Sequence, residues 1–141
     1  MAIVGGSETP RERIERLIAD GQLERQALEQ AEEVWQARLH VGVSLPNDDV
    51  VHVTQDDLYH AIIDPRLARR PDRIEAALQN VFEVRQAEGQ RRLGLSRWLE
   101  DGMERLAVVI IEVNNTLRSI HLVDDRRLRR YQRQYPEVLW R

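Results

Sequence analysis

The sequence predicts an α+β fold: an antiparallel sheet of three to four strands packed on helices, preceded by an N-terminal helical hairpin. Three observations carry that prediction. Residues 92–123 read as two hairpins in series, RLGLSRWLE, Asp101-Gly102, MERLAVVIIEV, Asn114-Asn115, TLRSIHLV, and both turn pairs tolerate positive φ. A further run, VFEVR from Val81 to Arg85, alternates apolar and charged residues as a strand does. The upstream half instead repeats its apolar residues at three- and four-residue intervals, broken by Pro and Gly.

In chain order, residues 1–8 read as a loose tail. Thr9-Pro10 then supplies an N-cap and a first-turn proline for a helix striped with Ile14, Leu17 and Ile18. Asp20-Gly21 interrupts it, and a second helical segment carries Leu28, Ala31, Trp35 and Leu39. This hairpin, residues 1–41, is read as an appendage. Its narrow apolar seam is expected to pack on the main domain, residues 42–141, or on a second copy of itself. His40 to Asn47 is a linker. Val50 to Val53 is a short strand, and Thr54 with Asp57 forms a capping-box pattern for a helix that buries Leu58, Tyr59, Ile62 and Ile63. Pro65 ends that helix, RLARRPD reads as a loop, and Pro71-Asp72 opens another helix with Ile74, Ala77 and Leu78 inside. After the meander, Asp124-Asp125 caps a basic helix, Tyr135-Pro136 ends it, and Val138, Leu139 and Trp140 lie back against the body.

Composition narrows the chemistry. The chain has 141 residues and no Cys, which excludes disulfides and thiolate chemistry. All 21 basic residues are Arg, so a catalytic or Schiff-base lysine is excluded too. No stretch approaches the ~18 apolar residues of a membrane span, and a soluble, cytoplasmic protein is expected. The net charge of −3 is unevenly spread: residues 1–80 hold 9 Arg against 15 acids, and residues 81–141 hold 12 Arg against 9 acids. The basic part includes RRLRRYQR from Arg126 to Arg133. Such a run is ordinarily a solvated face, and it is also compatible with a basic half meeting phosphate. There is no P-loop, Gly-rich dinucleotide motif or His-Glu-x-x-His.

With two-residue turns the register follows from the pleat. Glu100 pairs with Met103, Arg97 with Leu106, Leu95 with Val108, Glu112 with Leu117, Ile110 with Ser119, and Val108 with His121. One face then carries Trp98, Ala107, Val109, Ile111, Val113, Ile120 and Leu122, and is the expected core. The other mixes Leu93, Leu95, Val108 and Ile110 with Arg97, Glu112, Ser119 and His121. It reads either as a half-solvated sheet face or as a shallow catalytic surface. A one-residue bulge at the Asn-Asn turn would send Ser119 and His121 to the opposite face. On the helix after Thr54, His60 lies off the buried side in a stripe with Asp56 and Asp64. A solvated imidazole beside carboxylates is preferred there over a metal site.

The wording VHVTQDDLYHAIIDPRLARRPDRIEAALQNVFEVR followed by GLSRWLEDGMERLAVVIIEV resembles phage- and prophage-borne domains of the barnase–EndoU–colicin–RelE superfamily of small ribonucleases. The shared features are a short strand, a helix with an internal His, a second helix ending in Asn, a Val-rich strand and an antiparallel sheet. What the resemblance implies is a toxin-like or phage-derived enzyme that binds RNA and cleaves it by attack of the ribose 2′-hydroxyl. It implies neither metal nor cofactor. His60 would match the helix His, and Ser119 the polar residue of the last strand. His121 and Arg97 have fitting chemistry as acid–base and oxyanion groups, with Glu112 or His60 as the counterpart. The alternative is a non-enzymatic interaction or assembly domain of mobile-element origin, with a protein partner or a second copy bound through the same face or the N-terminal helices.

Overall fold

The computed structural model describes residues 8–141, so the tail expected for residues 1–8 lies, up to Ser7, outside the described residues. Helix α1, Pro10–Ala19, starts from a capping box. The Thr9 hydroxyl accepts the Glu12 N–H and the Glu12 carboxylate accepts the Thr9 N–H, each at 3.1 Å. Helix α2, Arg25–Val34, widens at its end into one π-helical turn, Trp35–Leu39. The hairpin packs on the main body. Ile14, Leu28, Ala31 and Leu39 are buried in one core with the sheet. The Trp35 indole donates to the Val53 carbonyl at 2.6 Å. The Tyr59 hydroxyl accepts from Arg11 at 2.9 Å and donates to Glu32 at 2.8 Å.

The expected linker contains a strand, β1 (Val43–Ser44), which pairs with β2 (Val50–Val51) as a separate two-stranded ribbon. Helix α3, Gln55–Ala61, begins at the Thr54–Asp57 capping box. A short helix, α4 (Pro65–Arg69), stands where the sequence suggested a loop. Asp64 accepts the Arg66 N–H at 2.9 Å, and Pro65 opens the helix, where an N–H would find no acceptor within it. Helix α5, Asp72–Gln79, leads into the main sheet.

That sheet is antiparallel in the order β6-β5-β4-β3-β7. Its members are β3 (Val81–Gln86), β4 (Arg92–Glu100), β5 (Met103–Ile111), β6 (Leu117–Val123) and β7 (Val138–Trp140). The class is α+β, but the expected three to four strands become five. The addition is β7: the C-terminal segment lies back on β3 by adding a strand. Helix α6, Asp125–Gln134, joins β6 to β7, and its Asp124 cap accepts the Arg127 N–H at 2.8 Å.

Both sheet faces are covered. Trp98, Ala107, Val109, Ile111, Ile120 and Leu122 pack against α1–α5, as the alternation required. The other face is not the open surface the sequence suggested: Leu93, Leu95, Leu106 and Val108 are roofed by Leu128 and Tyr131 of α6 and by Tyr135 just after it. The first hairpin keeps its predicted register, with Asp101 and Gly102 at φ 52° and 79° in a primed turn. The second does not. Only Asn115 has positive φ (65°), Asn115 N–H bonds to Glu112 O at 2.9 Å, and Glu112 N–H bonds to Thr116 O at 2.9 Å. The loop is therefore three residues long, and Val113, expected in the core, is exposed. Leu117 consequently pairs with Ile111 instead of Glu112 and turns into the core. A bulge at Arg118 restores the ladder, so that Ile110 pairs with Ser119 and Val108 with His121 as predicted.

Candidate functional site

β6 is an edge strand. Only its start is covered, where the chain after β2 bridges it: Leu117 N–H donates to His52 O at 3.0 Å, and His52 N–H to Asn115 O at 2.8 Å. Beyond that bridge the edge faces α3, and between them lies a cleft of about 250 Å³. It is lined by Arg118, Ser119 and His121 from β6, Asp57 and His60 from α3, Asp64 just after α3, and Arg13 from α1. It continues into a shallower groove of about 460 Å³ that shares His60, Arg118, Ser119 and His121 and adds Asp56.

Each side chain is placed by a local rule. Leu58, Tyr59 and Ala61 bury one side of α3, which leaves Asp56, Asp57 and His60 facing out along β6. Ser119 and His121 project on the α6 side of the sheet, but at its edge, where they look past α6 into the cleft. Arg118 reaches the cleft because it is the bulged residue: with no cross-strand partner, its side chain is free of the core face where simple alternation puts it.

The charges are partly tied down. Burial raises the Asp57 carboxyl above its usual value, against the two Thr54 cap hydrogen bonds. Burial also works against ionisation of Asp64, but the Arg66 hydrogen bonds at 3.0 and 3.2 Å prevail and hold it below the ordinary carboxylate value. His121 is pushed below the ordinary imidazole value by the atoms crowding it and then by the Arg127 charge, with Asp64 opposing. Near neutral pH it is therefore mainly the free base. Arg13 makes no ion pair among the described residues. Arg118 touches only Glu112, at 3.4 Å.

Of the five residues singled out in the sequence, three meet here: His60, Ser119 and His121. Two do not. Arg97 lies on β4, two strands from β6, with its guanidinium over the Phe82 ring at 5.1 Å and 3.6 Å from Glu104. The flat-sheet register set it beside His121 in projection, but β5 intervenes. Glu112 sits in the β5–β6 loop, accepts from Arg91 at 2.5 Å, and reaches the cleft only through Arg118. Sequence reasoning passed over Arg118, Arg13 and Asp57 as site residues. No pattern signals Arg13, because its place at the cleft is set by the packing of α1 against α3. Among the described residues no group of three or more His, Asp or Glu side chains has the arrangement to hold a metal ion. Comparison with protein-family models, with curated proteins and with solved structures finds no significant match to this chain.

Proposed function

We propose that the chain is a ribonuclease that cleaves RNA by 2′-hydroxyl transesterification in the cleft between α3 and β6, needing no metal for the chemistry. The observation that carries this reading is the convergence of two imidazoles, His60 and His121, from separate elements on one cleft with two arginines not committed to strong ion pairs. That is the inventory the reaction asks for. His121, held neutral, takes the proton from the 2′-hydroxyl as the oxygen attacks phosphorus. The His60 imidazole, as the general acid, gives a proton to the departing 5′-oxygen as the P–O5′ bond breaks, leaving a 2′,3′-cyclic phosphate and a free 5′-hydroxyl. Arg118 and Arg13 face the extra negative charge of the pentacoordinate phosphorus, and the Ser119 hydroxyl hydrogen-bonds a non-bridging oxygen.

The test is cleavage of a labelled single-stranded RNA in EDTA. A cyclic-phosphate product is expected, with His60→Ala and His121→Ala each slower by about 10²–10⁴. Arg97→Ala is expected to cleave as wild type does. Full activity in both histidine variants would dismiss the assignment. The second reading, an interaction module without catalysis, is favoured by the open β6 edge, which can accept a strand from another protein. Wild-type inactivity on several RNAs, combined with capture of an extended peptide along β6, would decide for it.

A further inference from the structure

Among the described residues fourteen of the 21 arginines are ion-paired, as expected in a chain with 24 acids. The seven left over are not scattered. Five are on α6: Arg126, Arg127, Arg129, Arg130 and Arg133, all of them exposed. A sixth, Arg13, lines the cleft. No acid occurs between Arg126 and Pro136; the acids of the segment, Asp124 and Asp125, stand at the start of α6.

We infer that α6 is the surface along which a single-stranded RNA runs into the cleft, its phosphates held by Arg126, Arg129, Arg130 and Arg133. This rests on the ribonuclease reading above and names the substrate strand's path. Leu128, Tyr131 and Tyr135 fix the inner side of the helix against the sheet. Arg126, Arg130 and Arg133, spaced i, i+4, i+7, therefore form an outward stripe with Arg129 beside it, about 10 Å long at 1.5 Å per residue. Arg127 falls on the opposite flank, in the first turn of α6, which follows directly on the β6 strand that carries His121 into the cleft. The far end of the track is clamped. Arg85 donates to the Gln132 and Tyr135 carbonyls at 3.0 and 2.9 Å, and Gln132 donates to the buried Glu83 at 3.1 Å. The helix that carries the cations is thus anchored before the ligand arrives. A single strand is the form that fits, because in-line attack needs a backbone that can swing the 2′-oxygen opposite the 5′-oxygen, and an A-form duplex holds it away.

The experiment measures binding separately from cleavage. A short fluorescein-labelled 2′-O-methyl RNA, which lacks the attacking hydroxyl, is titrated by anisotropy over a salt series against wild type and R126Q/R129Q/R130Q/R133Q. All four positions are exposed, and circular dichroism checks the fold. R130Q alone serves if the quadruple variant aggregates. The quadruple variant is expected to bind more than tenfold more weakly at low salt. Its log–log salt slope should be shallower by about 3, since each single-strand phosphate contact accounts for about 0.7. Unchanged affinity and slope would overturn the track whether or not the wild type cleaves RNA. Equal binding of the same sequence as a duplex would overturn it too. So would self-association abolished by the same substitutions, which would assign α6 to an interface with a second copy. Binding as expected, with no cleavage of ordinary RNA by wild type, would remove the catalytic reading and leave the track standing.

Discussion

A methyl group added at Gly94 would lie 2.8 Å from Val109 Cγ2 and 3.3 Å from Val81 Cγ2, closer than β3, β4 and β5 permit without moving. Gly94→Ala is expected to lower stability by about 1–3 kcal/mol through overpacking. A urea midpoint equal to that of the parent would show that the strands part freely here. This glycine was invisible in the sequence, where it reads as one more small residue in an apolar run. Its need to be small is set by Val81, 13 residues away on another strand. The candidate site divides the same way. His60 was legible because a helix with a clear apolar side leaves its remaining residues facing out. His121 and Ser119 were legible because the pleat has a period of two. Arg13 was not, and Arg97 was misplaced, because both depend on which strands and helices become neighbours.

At the scale of elements, turn chemistry was readable where it is unambiguous. Asp-Gly fixed the β4–β5 turn, while Asn-Asn served a three-residue loop with one left-handed residue instead of two. Alternation in β3 was also readable, but its meaning was not: the charged members Glu83 and Arg85 are buried, holding one another at 2.6 Å beneath α6. The helix that covers them was recognised by its basic run. Its inner seam of Leu128, Tyr131 and Tyr135 was overlooked because arginine dominates the segment. β4 ends in a second buried carboxylate, Glu100, bonded by Arg73 at 2.5 and 2.9 Å with Arg70 and Arg105 close by. The Arg73 hydrogen bonds are the main reason its carboxyl is lowered to about 2. Glu100→Gln is expected to cost about 2–3 kcal/mol at neutral pH, since it removes charged hydrogen bonds and takes from Arg73 and Arg105 the carboxylate they share.

For the molecule as a whole, that carboxylate gives stability a pH dependence of known sign. In the unfolded chain Glu100 takes up its proton near its ordinary value of 4.5, whereas in the folded chain it does so near 2. Its contribution is therefore complete above about 4.5 and fades as pH falls toward 2. The difference in stability between wild type and Glu100→Gln should close over that interval, and a gap constant from pH 7 to pH 2 would refute the account. His121 acts earlier. Its lowered folded value means the unfolded chain binds more protons just below the ordinary imidazole value, so stability begins to slip there. The N-terminal hairpin, separable on paper at residue 41, shares the core of the main sheet through Ile14, Leu28 and Leu39. Composition could not reveal this, because a narrow seam fits a partner of either kind.

The bulge at Arg118 has a genetic corollary. Arg118 stands outside the ladder, between Leu117 on Ile111 and Ser119 on Ile110, so the sheet does not count it. A cation placed on an uncounted residue can be gained or lost as a single codon without recasting the strand. Deleting codon 118 should leave Ser119 and His121 opposite their present partners and the protein folded, while removing one guanidinium from the cleft. Deleting codon 120 should instead send His121 into the core. Melting curves of the two deletions, near-parental for the first and collapsed for the second, would distinguish a dispensable insertion from a structural rung.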